Sequence, residues 1–351
     1  MSSQTASSPG FDATQRWLDP AFFDFWATRI NPLWTWNRPR ARLVARRAAA
    51  VDATTLVLRP NRHWRGVQPG QHIELGVQVE GRWLRRHYSP TVTAAGEIEI
   101  TVKTVAAGRV SPYLAQAAAM GEVFELGHGF GDFAWPAGTG PVLLLAAGSG
   151  ITPMRALLLA QAARGFDRDV SLMYWVRDGE QACFVAELRA LAEAHPRFSL
   201  QLQVTGEGAP RVDALAWAQW PALAQTAVLA CGPGGFVQAA SERLSGQVAA
   251  FQAEAFSAPA LAEGDEGEVD VVLSRSGRTL RLARNRSLLE GLEAHGLKPL
   301  HGCRMGICNT CVCQRESGAT RHLLSGQHHD EPAAPVRLCV QAPSTDLILE
   351  L

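Results

Sequence analysis

Three thiols stand at Cys303, Cys308 and Cys311 in the stretch His301-Gly302-Cys303-Arg304-Met305-Gly306-Ile307-Cys308-Asn309-Thr310-Cys311-Val312-Cys313, and a fourth, Cys339, follows near the C-terminus. This Cys-x4-Cys-x2-Cys spacing with one distant partner constrains the fold more than any other feature. The chain must turn back so that four sulfurs meet, and at this spacing four thiolates hold a 2Fe–2S cluster. Gly302 and Gly306 suit the tight turns of such a loop. Amides aimed at the sulfurs would help to set the potential. Structural zinc more often uses two Cys-x2-Cys knuckles, and disulfides need an oxidising compartment that nothing else in the sequence suggests. Cys313, just past the clustered thiols, is read as a non-ligand.

At 351 residues the chain is too long for that module alone, so two or three domains are expected. Zero net charge and 47% apolar content describe a soluble globular protein without a nucleic-acid footprint. Met1 to Gly10 has neither the basic head nor the apolar core of a signal peptide, and no apolar run reaches the ~18 residues of a transmembrane helix. Seven cysteines, five of them in the last fifty residues, fit a reducing cytoplasm with a metal centre.

The first segment, residues 1–38, is an aromatic arm. Phe11, Trp17, Phe22, Phe23, Phe25, Trp26, Trp34 and Trp36 crowd it, interrupted by Pro20 and Pro32. Asp12 or Thr14 could cap one short helix, and Pro20 after Asp19 could start another. Residues 11–37 read either as packed over the next domain or as a peripheral contact with a membrane or membrane-bound partner. Residues 39–137 carry short alternating strands at 54–59, 71–75 and 96–103, which predict an antiparallel β-barrel. Within it, Arg86-His87-Tyr88-Ser89 closes a strand, and Gly108-Arg109-Val110-Ser111 precedes a predicted helix from Pro112 with Ser111 at its N-cap. An arginine for phosphate, a tyrosine for a ring face and a serine for a ring edge suit a flavin.

Residues 138–257 alternate strands and helices, which predicts a doubly wound α/β domain. The apolar run Val142 to Ala147 feeds Gly148-Ser149-Gly150-Ile151-Thr152-Pro153 and a helix, the geometry that lays a pyrophosphate on a helix N-terminus. Pro153 stands where a third glycine would, so this motif alone is weak. Further helices are expected at 182–194 and after Cys231-Gly232-Pro233. Cys231 ends a strand where such sheets bind ligands, and a buried apolar cysteine is the plain alternative. Residues 258–267 read as a linker, and 268–351 as an α+β (β-grasp) domain with one crossing helix at 287–295. His322, His328 and His329 read as surface histidines beside a polar loop.

Arg86-x-Tyr88-Ser89, Gly108-x-x-Ser111, Gly148 to Pro153 and Cys231-Gly232-Pro233 occur in the order and spacing of the ferredoxin–NADP reductase superfamily, followed here by a plant-type 2Fe–2S ferredoxin domain. Over residues 40–351 the chain resembles one-chain reductases that supply oxygenases and desaturases, and the arm resembles that of stearoyl-CoA desaturase electron-transfer partners. The resemblance implies an NAD(P)H-dependent oxidoreductase passing electrons through FAD and a 2Fe–2S cluster to an oxygenase or a membrane fatty-acid desaturase. It assigns Arg86 to flavin phosphate, Tyr88 to the ring face, Ser89 to the N5 edge, and Gly108 to Ser111 to the pyrophosphate. His87, Val102, Lys103 and Val110 join these cofactor contacts. Gly148 to Pro153 would cradle NAD(P)H with Thr152 near the flavin, and Cys231, Gly232, Pro233 and Phe236 would border the nicotinamide. Tyr88, Ser89, Thr152 and Cys231 form the implied reaction centre, Glu254 and Phe256 match the reductase domain's terminal segment, where an aromatic covers the ring's other face, and Cys303, Cys308, Cys311 and Cys339 hold the iron. Pro153 is normal for this family.

Nicotinamide gives two electrons and a 2Fe–2S cluster takes one at a time, so a flavin must stand between them. FAD is favoured over FMN, although related reductases take FMN with a similar Arg-x-Tyr-Ser. Arg177 could accept a 2′-phosphate while Asp178 could bind a ribose hydroxyl, which leaves NADPH and NADH open with a lean to NADPH. No Ser–His–Asp or paired-carboxylate constellation is expected near these motifs. The rival readings are an NADH-dependent reductase for a soluble oxygenase and a non-catalytic zinc scaffold.

Overall fold

The computed structural model describes residues 19–256, 267–324 and 326–351. The first capping position of the arm and the linker therefore lie outside the described residues. Helix α1 (Pro20–Ile30) forms as expected, with Pro20 in its first turn and the Asp19 carboxylate accepting from the Ala21 amide at 2.8 Å. Asp24 then ties the arm down. It is buried and accepts from the Trp36 amide at 2.6 Å and from Arg38 Nε at 2.7 Å. Asn61 donates to the Leu33 carbonyl and Arg42 to Asn31 Oδ1, each at 3.1 Å, which packs the arm on the first domain, yet Phe25, Trp26, Ile30 and Trp34 are each more than half exposed.

Seven strands make the first domain: β1 (Arg40–Ala50), β2 (Ala53–Pro60), β3 (Ile73–Val79), β4 (Arg82–Tyr88), β5 (Thr91–Val92), β6 (Ile98–Lys103) and β7 (Val123–Leu126). They form one antiparallel sheet in the order β4-β3-β7-β1-β2-β6-β5, curled into a half-barrel. Period-two alternation sends Ile73, Leu75, Val77 and Val79 into its core. The residues between them, beginning with His72 and Glu74, face the other way.

The second domain is a five-stranded parallel sheet, β10-β9-β8-β11-β12, built from β8 (Val142–Ala147), β9 (Val170–Val176), β10 (Phe198–Val204), β11 (Ala227–Gly232) and β12 (Ala250–Ala255). All six residues of β8 are buried, as a central strand covered on both faces requires. The connections are α2 (Ile151–Ala162), α3 (Val185–Ala194) and α4 (Gly234–Leu244). Strand order reverses between β8 and β11, which is where such sheets open a crevice. Helix α3 starts three residues later than expected because Phe184 before it is left-handed, φ 63°.

The third domain has a mixed sheet, β14-β13-β20-β15-β18, and a small three-stranded one, β17-β16-β19. Its strands are β13 (Glu268–Leu273), β14 (Arg278–Ala283), β15 (Val312–Ser317), β16 (Thr320–His322), β17 (His328–His329), β18 (Ala334–Arg337), β19 (Gln341–Pro343) and β20 (Leu347–Leu349). Parallel pairing of β13 with β20 places α5 (Leu288–Ala294) across the sheet, and Ser287 caps that helix by accepting from the Glu290 amide.

Candidate functional site

The cysteine loop comes together as two sulfur pairs. Cys311 and Cys339 bring their sulfurs within 3.2 Å, and the Cys303 and Cys308 side chains are hydrogen-bonded to each other. Backbone amides converge on them. Met305, Ile307 and Cys308 donate to Cys303 Sγ at 3.3 to 3.4 Å, Cys303 to Cys308 Sγ at 3.3 Å, and Gly306 to Cys339 Sγ at 3.2 Å. Gly306 is left-handed at φ 77°, and a Cβ there would meet Val340 at 2.8 Å. Within each pair the hydrogen bond between the sulfurs holds one thiol down and pushes its partner up, Cys308 below Cys303 and Cys311 below Cys339, so each pair favours one anionic sulfur. Two pairs suit two irons. The donor set is all thiol and paired two and two, which fits a two-iron cluster. Cys313 is buried on β15 with its sulfur towards the Glu350 carbonyl, 3.7 Å away.

A cavity of about 700 Å³ lies between the half-barrel, the β8–α2 turn and this loop. Arg86, His87, Tyr88, Ser89, Lys103, Gly108, Val110, Ser111, Ser149, Thr152 and Phe256 line it, facing Gly302, Cys303, Arg304, Met305 and Ile307. A Cβ on Gly108 would meet Ser111 Oγ and the Val105 carbonyl, each at 3.0 Å, so the open cradle there depends on glycine. The residues expected to meet phosphate, ring face and ring edge thus line one cavity of flavin-like size, and such side chains suit that cofactor. Burial pushes the Tyr88 hydroxyl up, which keeps it neutral. Burial pushes His87 down, while Cys308 and Glu74 act in the opposite direction.

Three expectations are corrected here. Ser111 does not cap a helix: a short helical turn starts at Val110 and passes into a π turn at Tyr113–Ala117. Its hydroxyl instead accepts from the Val105 amide at 3.0 Å and closes the 105–111 loop. His322 is half-buried rather than on the open surface: it lines a small cavity between the domains, and burial pushes its imidazole down to about 4. A hydrogen-bonded constellation also exists near the motifs, contrary to expectation. Ser89 Oγ lies 2.8 Å from His72 Nδ1, and His72 Nε2 lies 2.8 Å from Glu254 Oε2. His72 was missed because its strand reads as ordinary. The one available signal was alternation, which puts it on the face away from the barrel core.

At the sheet's switch point the β8–α2 turn packs against the end of β11. A Cβ on Gly150 would come within 2.0 Å of the Cys231 carbonyl, and one on Gly232 within 2.9 Å of Ala147. Gly148 is left-handed at φ 55° with open space beside it. The Thr152 hydroxyl donates to the Ser149 carbonyl at 3.0 Å, Ile151 and Pro153 are buried in the first turn of α2, and Pro233 is exposed at the start of α4. Cys231 is fully buried, and that burial, with the Glu254 charge second, pushes its thiol well up. Arg177 is exposed just past β9. Two expected contacts point elsewhere: Val102 is buried in the barrel core, and Phe236 packs on Trp175 at 5.3 Å.

A half-barrel with a flavin-sized cavity, a doubly wound domain opening beside it and a thiol loop facing the same cavity define a class. Such a chain takes paired electrons from a nicotinamide and delivers them singly to iron. Family models for an oxidoreductase FAD-binding domain, an oxidoreductase NAD-binding domain and a 2Fe-2S iron-sulfur cluster binding domain match residues 40–135, 144–242 and 271–344. An NADPH oxidoreductase of Mycobacterium tuberculosis (strain ATCC 25618 / H37Rv) is 32% identical over 98% of this chain and 93% of its own length. The ferredoxin reductase component of 3-ketosteroid-9-alpha-monooxygenase from the same strain is 31% identical over 80% of this chain and 84% of its own. Among solved structures, phthalate dioxygenase reductase matches with TM-score 0.53 and 25% identity over 89% of this chain and 97% of that one. The chain belongs to the ferredoxin–NADP reductase superfamily, in the form that carries a C-terminal 2Fe–2S ferredoxin domain, and is an NAD(P)H oxidoreductase of that type.

Proposed function

We propose that this chain passes electrons from NADPH through FAD and the 2Fe–2S cluster to a partner oxygenase, and that the partner is a membrane-bound fatty-acid (acyl-CoA) desaturase on the cytoplasmic side. One observation carries the electron path: Cys303 of the cluster loop and Tyr88 and Ser89 of the flavin motif line the same cavity. No carrier has to move between the two centres. When bound, FAD accepts two electrons together and releases them singly. In this reading Arg86 pairs with flavin phosphate, Gly108 to Ser111 hold the pyrophosphate, Tyr88 and Phe256 flank the ring, and Ser89 bonds the N5 edge. Gly148 to Pro153 and Cys231 to Pro233 receive the nicotinamide nucleotide, and Cys303, Cys308, Cys311 and Cys339 hold the iron. The domains span 39–137, 138–257 and 268–351.

NADPH is favoured by the exposed Arg177 past β9, where a guanidinium can meet a 2′-phosphate, and by the name of the 32% identical relative. The membrane partner is favoured by the arm, where Phe25, Trp26, Ile30 and Trp34 project outwards and the Arg29 guanidinium lies 3.6 Å from the Phe25 ring centroid. A second reading, a soluble oxygenase partner, is supported by the monooxygenase component among the relatives. Incubation with NADPH, acyl-CoA and desaturase-bearing membranes decides between them. Desaturation that falls at least about tenfold in a chain lacking residues 1–37 supports the membrane partner, and equal turnover with and without the arm refutes it.

A further inference from the structure

Electrons that reach the cluster have to leave it, yet Cys303, Met305 and Ile307 of the loop line the flavin cavity. Another side of the thiols is open. A groove of about 490 Å³ runs along it, walled by Asn309, Val312, His329, Pro335, Arg337 and Gln341, and none of its described walls belongs to the flavin cavity. Asn309 directly follows Cys308, Val312 directly follows Cys311, and Arg337 stands two residues before Cys339. The groove thus reaches three of the four thiols within two residues of chain. His322 stands between it and a smaller cavity of about 190 Å³, the junction cavity, where Gly131 and Glu254 of the first two domains meet Ile307 of the third.

The charge in this groove has one sign. Burial first, and then His329 and Arg337, disfavour a proton on His322, as a gathering of basic groups does. Arg275, Arg281 and Arg304 of the same domain lie on carboxylates, whereas Arg337 is exposed and has no carboxylate partner among the described residues. Gln341 is only 8% exposed, and its Oε1 has no hydrogen-bond partner among the described residues. Val312, 44% exposed, and Pro335 add an apolar edge. An extended chain with a carboxylate satisfies all three: the carboxylate meets Arg337, a backbone N–H meets Gln341 Oε1, and aliphatic carbons cover Val312.

We propose that this groove is where electrons leave the chain, and that it takes an acidic segment of the accepting protein. The inference rests on the 2Fe–2S cluster being the outlet, as read above. Docking from this side leaves the cysteine loop on the flavin cavity, so the third domain stays in place between turnovers. Each encounter moves one electron with no bond made or broken: the acceptor is reduced by one as the cluster is oxidised by one. Two encounters consume the pair that each nicotinamide supplies.

The test uses the full chain loaded with FAD and iron, as wild type, as Arg337→Glu and His329→Glu in the groove, and as Arg278→Glu. Arg278 is exposed on β14, at the opposite edge of the sheet from the strand that carries Arg337. Each chain is reduced anaerobically with NADPH and mixed at low salt with an acidic haem protein, cytochrome b5, or a basic one, cytochrome c. The ratio of the two haem-reduction rates, acidic over basic, should fall at least about tenfold in both groove variants and stay at the wild-type value in Arg278→Glu. Bleaching of the cluster by NADPH should keep its wild-type rate throughout. Should Arg337→Glu lose iron, His329→Glu decides alone. A wild-type ratio in a loaded His329→Glu chain, an equal fall in Arg278→Glu, or slowed bleaching in His329→Glu overturns the groove as outlet. With desaturase-bearing membranes, the half-saturating amount should rise at least about tenfold in the groove variants. A wild-type chain that reduces both haem proteins but supports no desaturation would instead overturn the partner proposed above and leave the outlet standing.

Discussion

The cysteine loop and the flavin–nucleotide junction face one another across the same cavity, yet they are held in opposite ways. In the loop, three thiols lie within the nine residues from Cys303 to Cys311, and the groups that orient them are mostly amides of the same stretch. At the junction, side chains from distant strands and helices do the holding. Arg155 of α2 donates to Glu99 of β6 at 2.9 Å and to both oxygens of Glu187 of α3 at 2.6 and 3.0 Å, while Arg47 of β1 pairs with Glu99 from the other side. A site made of backbone tolerates change in its surroundings and fails at its ligands. A site made of buried charges fails at its supports. The difference predicts where substitutions will be felt.

The largest effect is expected at a ligand. Cys308→Ser should abolish the cluster's visible absorbance and all transfer to acceptors that need it, while NADPH still bleaches the flavin, because none of the residues proposed to receive the nicotinamide belongs to the loop. Loss of flavin bleaching in that variant would mean that the two regions are not separable. Next comes the junction. Arg155→Ala leaves Glu99, 9% exposed in its side chain, with one pair instead of two. Breaking a partner out of a buried ionic network costs about 3 kcal/mol. Urea denaturation should report that loss in the first two domains, with the cluster bands unchanged before unfolding begins. An Arg155→Ala chain as stable as wild type would show that apolar packing, not the charge network, joins the domains.

A pH series adds a third, smaller effect. His322 is held at about 4 by burial, whereas an unfolded histidine titrates near 6.5. Its folded value is depressed, so the unfolded chain binds the extra proton first. Stability should be full above pH 6.5 and fall as the pH drops towards 4, by on the order of 2 kcal/mol. His322→Gln should flatten that part of the profile. An unchanged slope would move the titrating group elsewhere.

How far each region could be read from the letters follows from the same contrast. The thiol spacing, the apolar run of β8 and the glycine turn after it are local patterns, and local patterns survive without knowledge of the fold. Helix α3 began late because Phe184 turns left-handed, beside a Cys183 amide that donates to the Tyr174 hydroxyl at 3.2 Å. No propensity encodes that contact. Serine before proline usually caps a helix, but the Ser111 hydroxyl accepts from the Val105 amide instead. Polar neighbours mark His322 as a surface residue, yet β16 pairs with β19 and His322 sits half-buried on the wall of the junction cavity. The Ser89–His72–Glu254 chain was invisible for a simpler reason: its last link joins two domains.

The smallest effect tests the loop's independence from its own surface. Arg304, left-handed at φ 58°, forks onto Glu293 of α5 at 2.6 and 2.8 Å, and that guanidinium holds the Glu293 carboxyl below its usual range. The pair looks like a clasp between helix and loop. Both side chains are partly exposed, 45% and 27%, so solvent screens them and the pair should contribute no more than about 0.5 kcal/mol. If amides and glycine turns shape the loop, Glu293→Gln should keep full iron content and shift the denaturation midpoint barely measurably. Iron loss in Glu293→Gln would mean that the loop leans on α5 through its side chains, and the contrast with the junction would then be one of degree.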